Sequence, residues 1–181
     1  APPESDAPTA KMDWNIFRSS WRLVRDTMHI PRLFLAIMAI SFFWGVGAVL
    51  GSIFPPMVKN AIGGDNTVAT LFTAFFSIGI AIGSVAINRL LNGTVSAKYA
   101  PVSVIVMGMF VLDLWWTVSH WQPTGPELMD WWQFLMLGYG ERMIVDLLGI
   151  SIAGGMFVVP LYAFLTTTVA KSQTARTIAA N

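Results

Sequence analysis

Long apolar runs separated by short polar connections dominate this sequence. No charged side chain occurs in residues 33–58, 67–88 or 147–170, and residues 100–120 contain only Asp113. Each run reaches about 20 residues, the length that a helix needs to cross the hydrocarbon core of a bilayer. None shows the polar face that a surface helix of a soluble domain carries. The pattern therefore predicts an all-α membrane protein with four transmembrane helices.

The segment before the first run has a different pattern. Apolar residues recur there at steps of three and four, at Trp14, Phe17, Trp21, Val24 and Met28. Three arginines share another part of the same helix. This predicts an amphipathic helix over 13–29 on the cytoplasmic membrane surface, or else a contact surface for another domain. Residues 1–12, rich in proline and alanine, are expected to form a flexible linker.

The distribution of basic residues predicts the orientation. Nine of the eleven lysines and arginines flank the runs on one side of the predicted membrane, and only Lys59 and Arg142 lie on the other. Because basic loops stay in the cytoplasm, both termini are expected there. The chain has no initiator methionine and stops within a helical pattern, so we expect a multi-pass piece of a larger inner-membrane protein.

Composition excludes several classes of function. The chain is 55% hydrophobic and 12% charged, its net charge is +1, and it has no cysteine. Nothing in this balance indicates a nucleic-acid partner. The two histidines have no nearby cluster of acidic or cysteine residues for metal binding, and no nucleotide loop or nucleophile elbow occurs. We expect no catalytic residue, no metal and no cofactor. Residues 131–137 are too short to span and are expected to lie at the interface.

Small residues at four-residue spacing mark three of the runs. They are Gly47 and Gly51, Gly79 and Gly83, and the pair Gly154 and Gly155. Such spacing lets helix backbones approach closely, either in static packing or in the sliding contacts of a transporter. Pro160 removes a backbone hydrogen bond from the fourth run and predicts a kink there.

Asp113 is the one acid inside an uncharged run. An intramembrane carboxylate is costly to bury and indicates function by default. It lies about two turns from the end of its span, beside two tryptophans. Two interpretations stay open, a structural acid near the membrane boundary and a proton or ion site.

Three sequence segments carry a family resemblance. Residues 43–48 with 54–56, residues 154–161, and residues 175–181 resemble the lysophospholipid transporter family of the major facilitator superfamily. Residues 88–93 are similar to the degenerate second copy of the cytoplasmic motif of that superfamily. Asn88 stands where that motif has an acid, and Arg89 follows it. Some members of the family are fused to acyltransferase domains.

The resemblance covers residues 30–181 and implies helices seven to ten of a twelve-helix fold. It implies transport of lysophospholipid across the bacterial inner membrane by alternating access, with membrane lipids and the remaining helices as partners. It places Trp44, Asn60 and Tyr162 near the central cavity and Asp113 on a peripheral helix. The alternatives are an exporter of drugs or small molecules, and a membrane anchor for a fused lipid acyltransferase.

Overall fold

The computed structural model describes residues 31–122, 125 and 127–168. Five α-helices occur there, and a π-helical turn, Val58–Ile62, extends the first. The helices are α1 (Pro31–Met57), α2 (Asn66–Leu90), α3 (Ala100–Ser119), α4 (Trp131–Met136) and α5 (Gly138–Thr168). The predicted linker 1–12, the predicted amphipathic helix 13–29 and the motif at 175–181 lie outside the described residues.

The predicted all-α membrane architecture is confirmed. The continuous helix formed by α1 and the π-helical turn, together with α2, α3 and α5, supplies four segments long and apolar enough to cross a membrane. The described residues contain no β-strand, and only an isolated bridge joins Gly64 to Met129.

Helix α5 is the centre of the bundle. In its most apolar window 61% of the residues are buried, against 17–22% in the other three spans. It packs most extensively against α2, then α3, then α1, and least against the short helix α4. A helix surrounded by others in this way can be apolar on every face, so α5 has no polar side for sequence periodicity to detect.

Two apolar clusters hold the helices together. One lies at the end of the bundle that carries α4, called the α4 end, and contains Phe72, Phe134, Met143 and Leu147. The other lies toward the opposite end, called the loop end because the α2–α3 loop is there. In it Leu33, Ala36 and Ile40 of α1 meet Val158, Leu161 and Leu165 of α5.

Hydrogen bonds fix the connections at the α4 end. The carboxylate of Asp65 caps α2 by accepting from the Thr67 and Val68 amides, at 2.8 and 3.4 Å. Asp130 and Gln133 form a capping box at the start of α4. The Asp65 amide donates to the Met129 carbonyl, at 2.8 Å. The segment before α4 is therefore tied to the start of α2.

Replacing Asp65 with alanine should lower the free energy of unfolding by about 1 kcal/mol, the usual effect of losing an N-cap. The Thr67 hydroxyl, which donates to Asp65, holds the pKa of this carboxyl below its usual value, against the smaller opposing effect of burial. A lowered folded-state pKa stabilises the fold above about pH 4 and loses that contribution as pH falls further. Thermal melts of wild type and Asp65→Ala should thus differ at neutral pH and converge in acid. A constant difference at all pH values would contradict this assignment.

The fourth span begins nearer the N-terminus than the uncharged run suggests. The run starts at 147, whereas α5 starts at Gly138. Glu141, Arg142 and Asp146 lie before the run, but Arg142 pairs with Asp113 and the helix continues through all three. Because Arg142 is paired with Asp113, charged residues are tolerated within the helix, and the uncharged run alone places its start too late.

Candidate functional site

Two of the three predicted cavity residues meet in the structure. Trp44 lies midway along α1 and Tyr162 near the end of α5, 118 positions later, and the indole Nε1 donates to the Tyr162 hydroxyl at 2.9 Å. The Trp44 side chain is 53% exposed. The pair thus places a hydrogen-bonding group on an otherwise apolar surface between α1 and α5.

Aromatic and small residues surround this pair. The Phe43 ring lies edge-on to Trp44, with ring centroids 5.7 Å apart, and 6.0 Å from the Phe157 ring. A Cβ on Gly154 would lie 2.9 Å from the Phe43 ring. The absence of a side chain at Gly154 therefore leaves room for Phe43 between α1 and α5.

Asn60 lies elsewhere. It is exposed on the π-helical turn at the α4 end, whereas Trp44 and Tyr162 lie well along their helices. Asn88 and Arg89 are exposed in the last turn of α2, at the loop end. The structure brings none of these three to the Trp44–Tyr162 pair.

The glycines of α2 and α5 make the closest helix–helix approach. A Cβ on Gly83 would overlap the backbone carbonyl of Ile152, and one on Gly79 would overlap the Ser151 hydroxyl. A Cβ on Gly155 would lie 2.5 Å from the Ile80 carbonyl. Gly83 and Gly155 pack against backbone and Gly79 against a small side chain, as small residues at four-residue steps permit.

The glycines of α1 behave differently. A Cβ on Gly47 or Gly51 would meet nothing within 4 Å. The described part of the chain therefore makes no close packing at these two positions. Pro160 is buried inside α5, which continues beyond it to Thr168.

A charged cluster joins α3 to α5. Arg142 donates to both oxygens of Asp113, from Nε at 2.9 Å and from Nη2 at 2.5 Å. Its guanidinium also lies over the Trp116 ring, 4.7 Å from the centroid. Asp113 is therefore the anionic partner of an arginine on the neighbouring helix rather than a lone acid in its span.

Asp146 completes this cluster and was not among the site residues predicted from the sequence. Its side chain is 1% exposed, and the carboxyl lies within hydrogen-bonding reach of Asp113. Asp146 directly precedes the uncharged run, which is why a search for charges inside that run passes over it. Its spacing of four from Arg142 was the available signal, because residues four apart lie on one helix face.

An apolar groove of about 670 Å³ lies at the loop end, between α1, α3 and α5. Leu35 and Ala39 of α1, Val104 of α3 and Phe164 of α5 contribute to its walls, and Arg32 lies at its edge.

Curated bacterial membrane transporters share detectable sequence similarity with this chain. The chain is 30% identical over 131 residues to the lysophospholipid transporter LplT of Escherichia fergusonii, of Shigella boydii serotype 4 and of Escherichia coli O1:K1. Over the matched region the chain is therefore similar to lysophospholipid transporters. This confirms the resemblance to the lysophospholipid transporter family carried by the sequence motifs.

The similarity covers 72% of this chain and 28% of each relative. The chain thus matches little more than a quarter of the length of these transporters. No protein-family model and no solved structure matches it.

Proposed function

We propose that the full-length protein moves lysophospholipid across the bacterial inner membrane, and that this chain forms part of the pathway. The observation that carries the proposal is the 131-residue similarity to proteins named as lysophospholipid transporters. Four membrane-spanning helices, with an exposed polar pair between two of them, agree with it.

Helices outside this chain would complete the pathway. Gly47 and Gly51 expose bare backbone along α1, the kind of surface on which another helix packs closely. We assign the four spans to helices seven to ten of a twelve-helix transporter that works by alternating access. The excess of basic residues on one side favours cytoplasmic termini.

The Trp44–Tyr162 pair suits an amphiphilic substrate. A lysophospholipid has one acyl chain and a polar head group, so its path needs apolar walls with a few hydrogen-bonding groups. The indole and phenol rings present apolar faces, and their N–H and O–H groups supply polar atoms. We assign this pair to the substrate pathway. We assign Asn60 to the same pathway, at the α4 end of the bundle.

Uptake by cells tests the proposal. Cells that express the full-length protein are given lysophospholipid with a labelled acyl chain, and both accumulated label and conversion to diacyl lipid are followed against a vector control. Accumulation above the control supports lysophospholipid transport. Equal uptake by both, with membrane insertion verified, would overturn it. Efflux of a fluorescent drug in the same cells would instead support an exporter.

Substitutions at the pair sharpen the test. Trp44→Phe and Tyr162→Phe each remove one member of the hydrogen bond and keep a ring. If the bond holds the pathway in shape, each should slow transport about fivefold, matching the net contribution of about 1 kcal/mol from one hydrogen bond. The double variant should be no slower than either single variant, because both remove the same bond.

Tyr99→Phe is the matched control, since it removes a phenol hydroxyl at the start of α3, away from the pair. Additive losses in the double variant would show that the two side chains act separately. Wild-type rates in both single variants would remove the pair from the pathway.

A further inference from the structure

The cluster between α3 and α5 contains more acid than base. Arg142 directs Nε and Nη2 at Asp113, which leaves Asp146 as a second carboxyl beside a single guanidinium. With both acids ionised the group would carry a net charge of −1, and its buried member would be Asp146, since Asp113 and Arg142 are 38% and 42% exposed. Such a charge is unfavourable in a medium of low dielectric constant.

One carboxyl oxygen of Asp146 is buried without a donor. Its Oδ2 is inaccessible, and no N–H or O–H group of the described residues donates to it. An ionised carboxylate needs donors in an apolar interior, and leaving one unsatisfied is strongly unfavourable. A protonated carboxyl has the opposite requirement, because its own O–H needs an acceptor.

Asp113 supplies that acceptor. Two carboxylates only accept hydrogen bonds, so a contact between the Asp113 and Asp146 carboxyls requires that one of them holds a proton. Asp113 already receives two bonds from Arg142, which stabilise its ionised form. The geometry points to a proton-binding pair in which one proton sits on Asp146 and is shared with Asp113, with Arg142 as the fixed counter-charge.

Few other titratable groups surround the pair. On α3, His120 stacks on Trp116 with ring centroids 4.4 Å apart, and the Arg142 guanidinium contacts the same ring. On α5, Tyr139 interacts electrostatically with Arg142, and Glu141 is exposed next to it. The charged residues of α1 and α2 are Arg32 and Arg89, both at the loop end, and α4 carries none.

Release of the proton changes what holds α3 to α5. With the proton present, the pair and Arg142 are neutral together and their hydrogen bonds are satisfied. Without it, two carboxylates compete for one guanidinium and repel each other. The proton is the ligand of this site. The proposal goes beyond lipid transport and does not depend on which lipid is moved.

Infrared spectroscopy of the full-length protein in a lipid bilayer tests the pair directly. A protonated carboxyl group has its own carbonyl stretching band, which shifts when deuterium replaces the proton. We expect such a band in wild type at neutral pH, its loss in Asp146→Asn, and a changed frequency in Asp113→Asn. It should disappear at alkaline pH. Asp65→Asn, which alters an ionised carboxyl in a loop, should retain it.

A wild-type spectrum without a protonated carboxyl band, or a band that persists in Asp146→Asn, would overturn the proposal. Carbodiimide labelling covers the case in which a variant does not fold, because it uses wild type alone. A hydrophobic carbodiimide reacts with protonated carboxyls, so the peptide containing Asp146 or Asp113 should gain label at neutral pH and lose it in alkali. Labelling of neither would contradict a shared proton. No lysophospholipid is present in either experiment, so failure here leaves the transport proposal standing.

Discussion

Gly83→Ala is expected to destabilise the helical bundle strongly. The added Cβ would overlap the Ile152 carbonyl oxygen, a backbone atom of the central helix α5. A backbone atom has no alternative rotamer, so α2 and α5 must move apart along their whole contact. We expect a loss at the upper end of the roughly 1–3 kcal/mol that overpacking costs. This loss of stability is measured by heating the purified full-length protein in detergent and recording the temperature at which it ceases to be monodisperse.

Two other glycines serve as controls for this prediction. A Cβ on Gly108 of α3 meets nothing within 4 Å, so Gly108→Ala should melt close to wild type. Gly79→Ala should lie between the two, because it first meets the Ser151 hydroxyl, which can rotate. Equal melting of Gly83→Ala and Gly108→Ala would contradict the close approach of α2 and α5.

Arg142→Gln is expected to cause the second large loss, a several-fold fall in the yield of folded, membrane-inserted protein. It removes two hydrogen bonds to Asp113 and the contact with the Trp116 ring, and it leaves the ionised Asp113 without a counter-charge. Removing one member of a charge pair leaves the other uncompensated, which is worse than removing both. The double variant with Asp113→Asn should therefore recover part of the yield.

The matched control for this substitution is Arg89→Gln, which removes an exposed guanidinium from the loop end of α2. It should leave the yield unchanged. If the yield of Arg142→Gln equals that of Arg89→Gln, or if the double variant recovers none of the lost yield, the Arg142–Asp113 pair does not hold α3 against α5.

The sequence predicts the four spans because charge exclusion is a property of each segment alone. Residues 67–88 and 100–120 fall close to α2 and α3, which end where polar residues return. The start of α5 was not predictable in this way, since Arg142 and Asp146 become tolerable only through their contacts with α3. The start of such a helix therefore depends on contacts between helices, which the segment's own sequence does not show.

In the candidate site, too, some features follow from local sequence and others depend on how the helices pack. Four-residue glycine spacing indicated close packing, and at Gly79, Gly83 and Gly155 the partner is a neighbouring helix. The same spacing at Gly47 and Gly51 meets no partner within the described residues, because spacing does not specify which helix lies opposite. The meeting of Trp44 and Tyr162 depends on the packing of α1 against α5, which no local pattern encodes.

Reconstitution gives the most direct test of the central claim, that the full-length protein moves lysophospholipid across a bilayer. The purified protein is placed in liposomes with a head-group-labelled fluorescent lysophospholipid, and an impermeant reductant then destroys the label in the outer leaflet. Protein-dependent loss of the protected, inner-leaflet signal is the predicted result, with slower loss in Trp44→Phe. Loss no faster than in protein-free liposomes, from protein that melts cooperatively, would contradict the account.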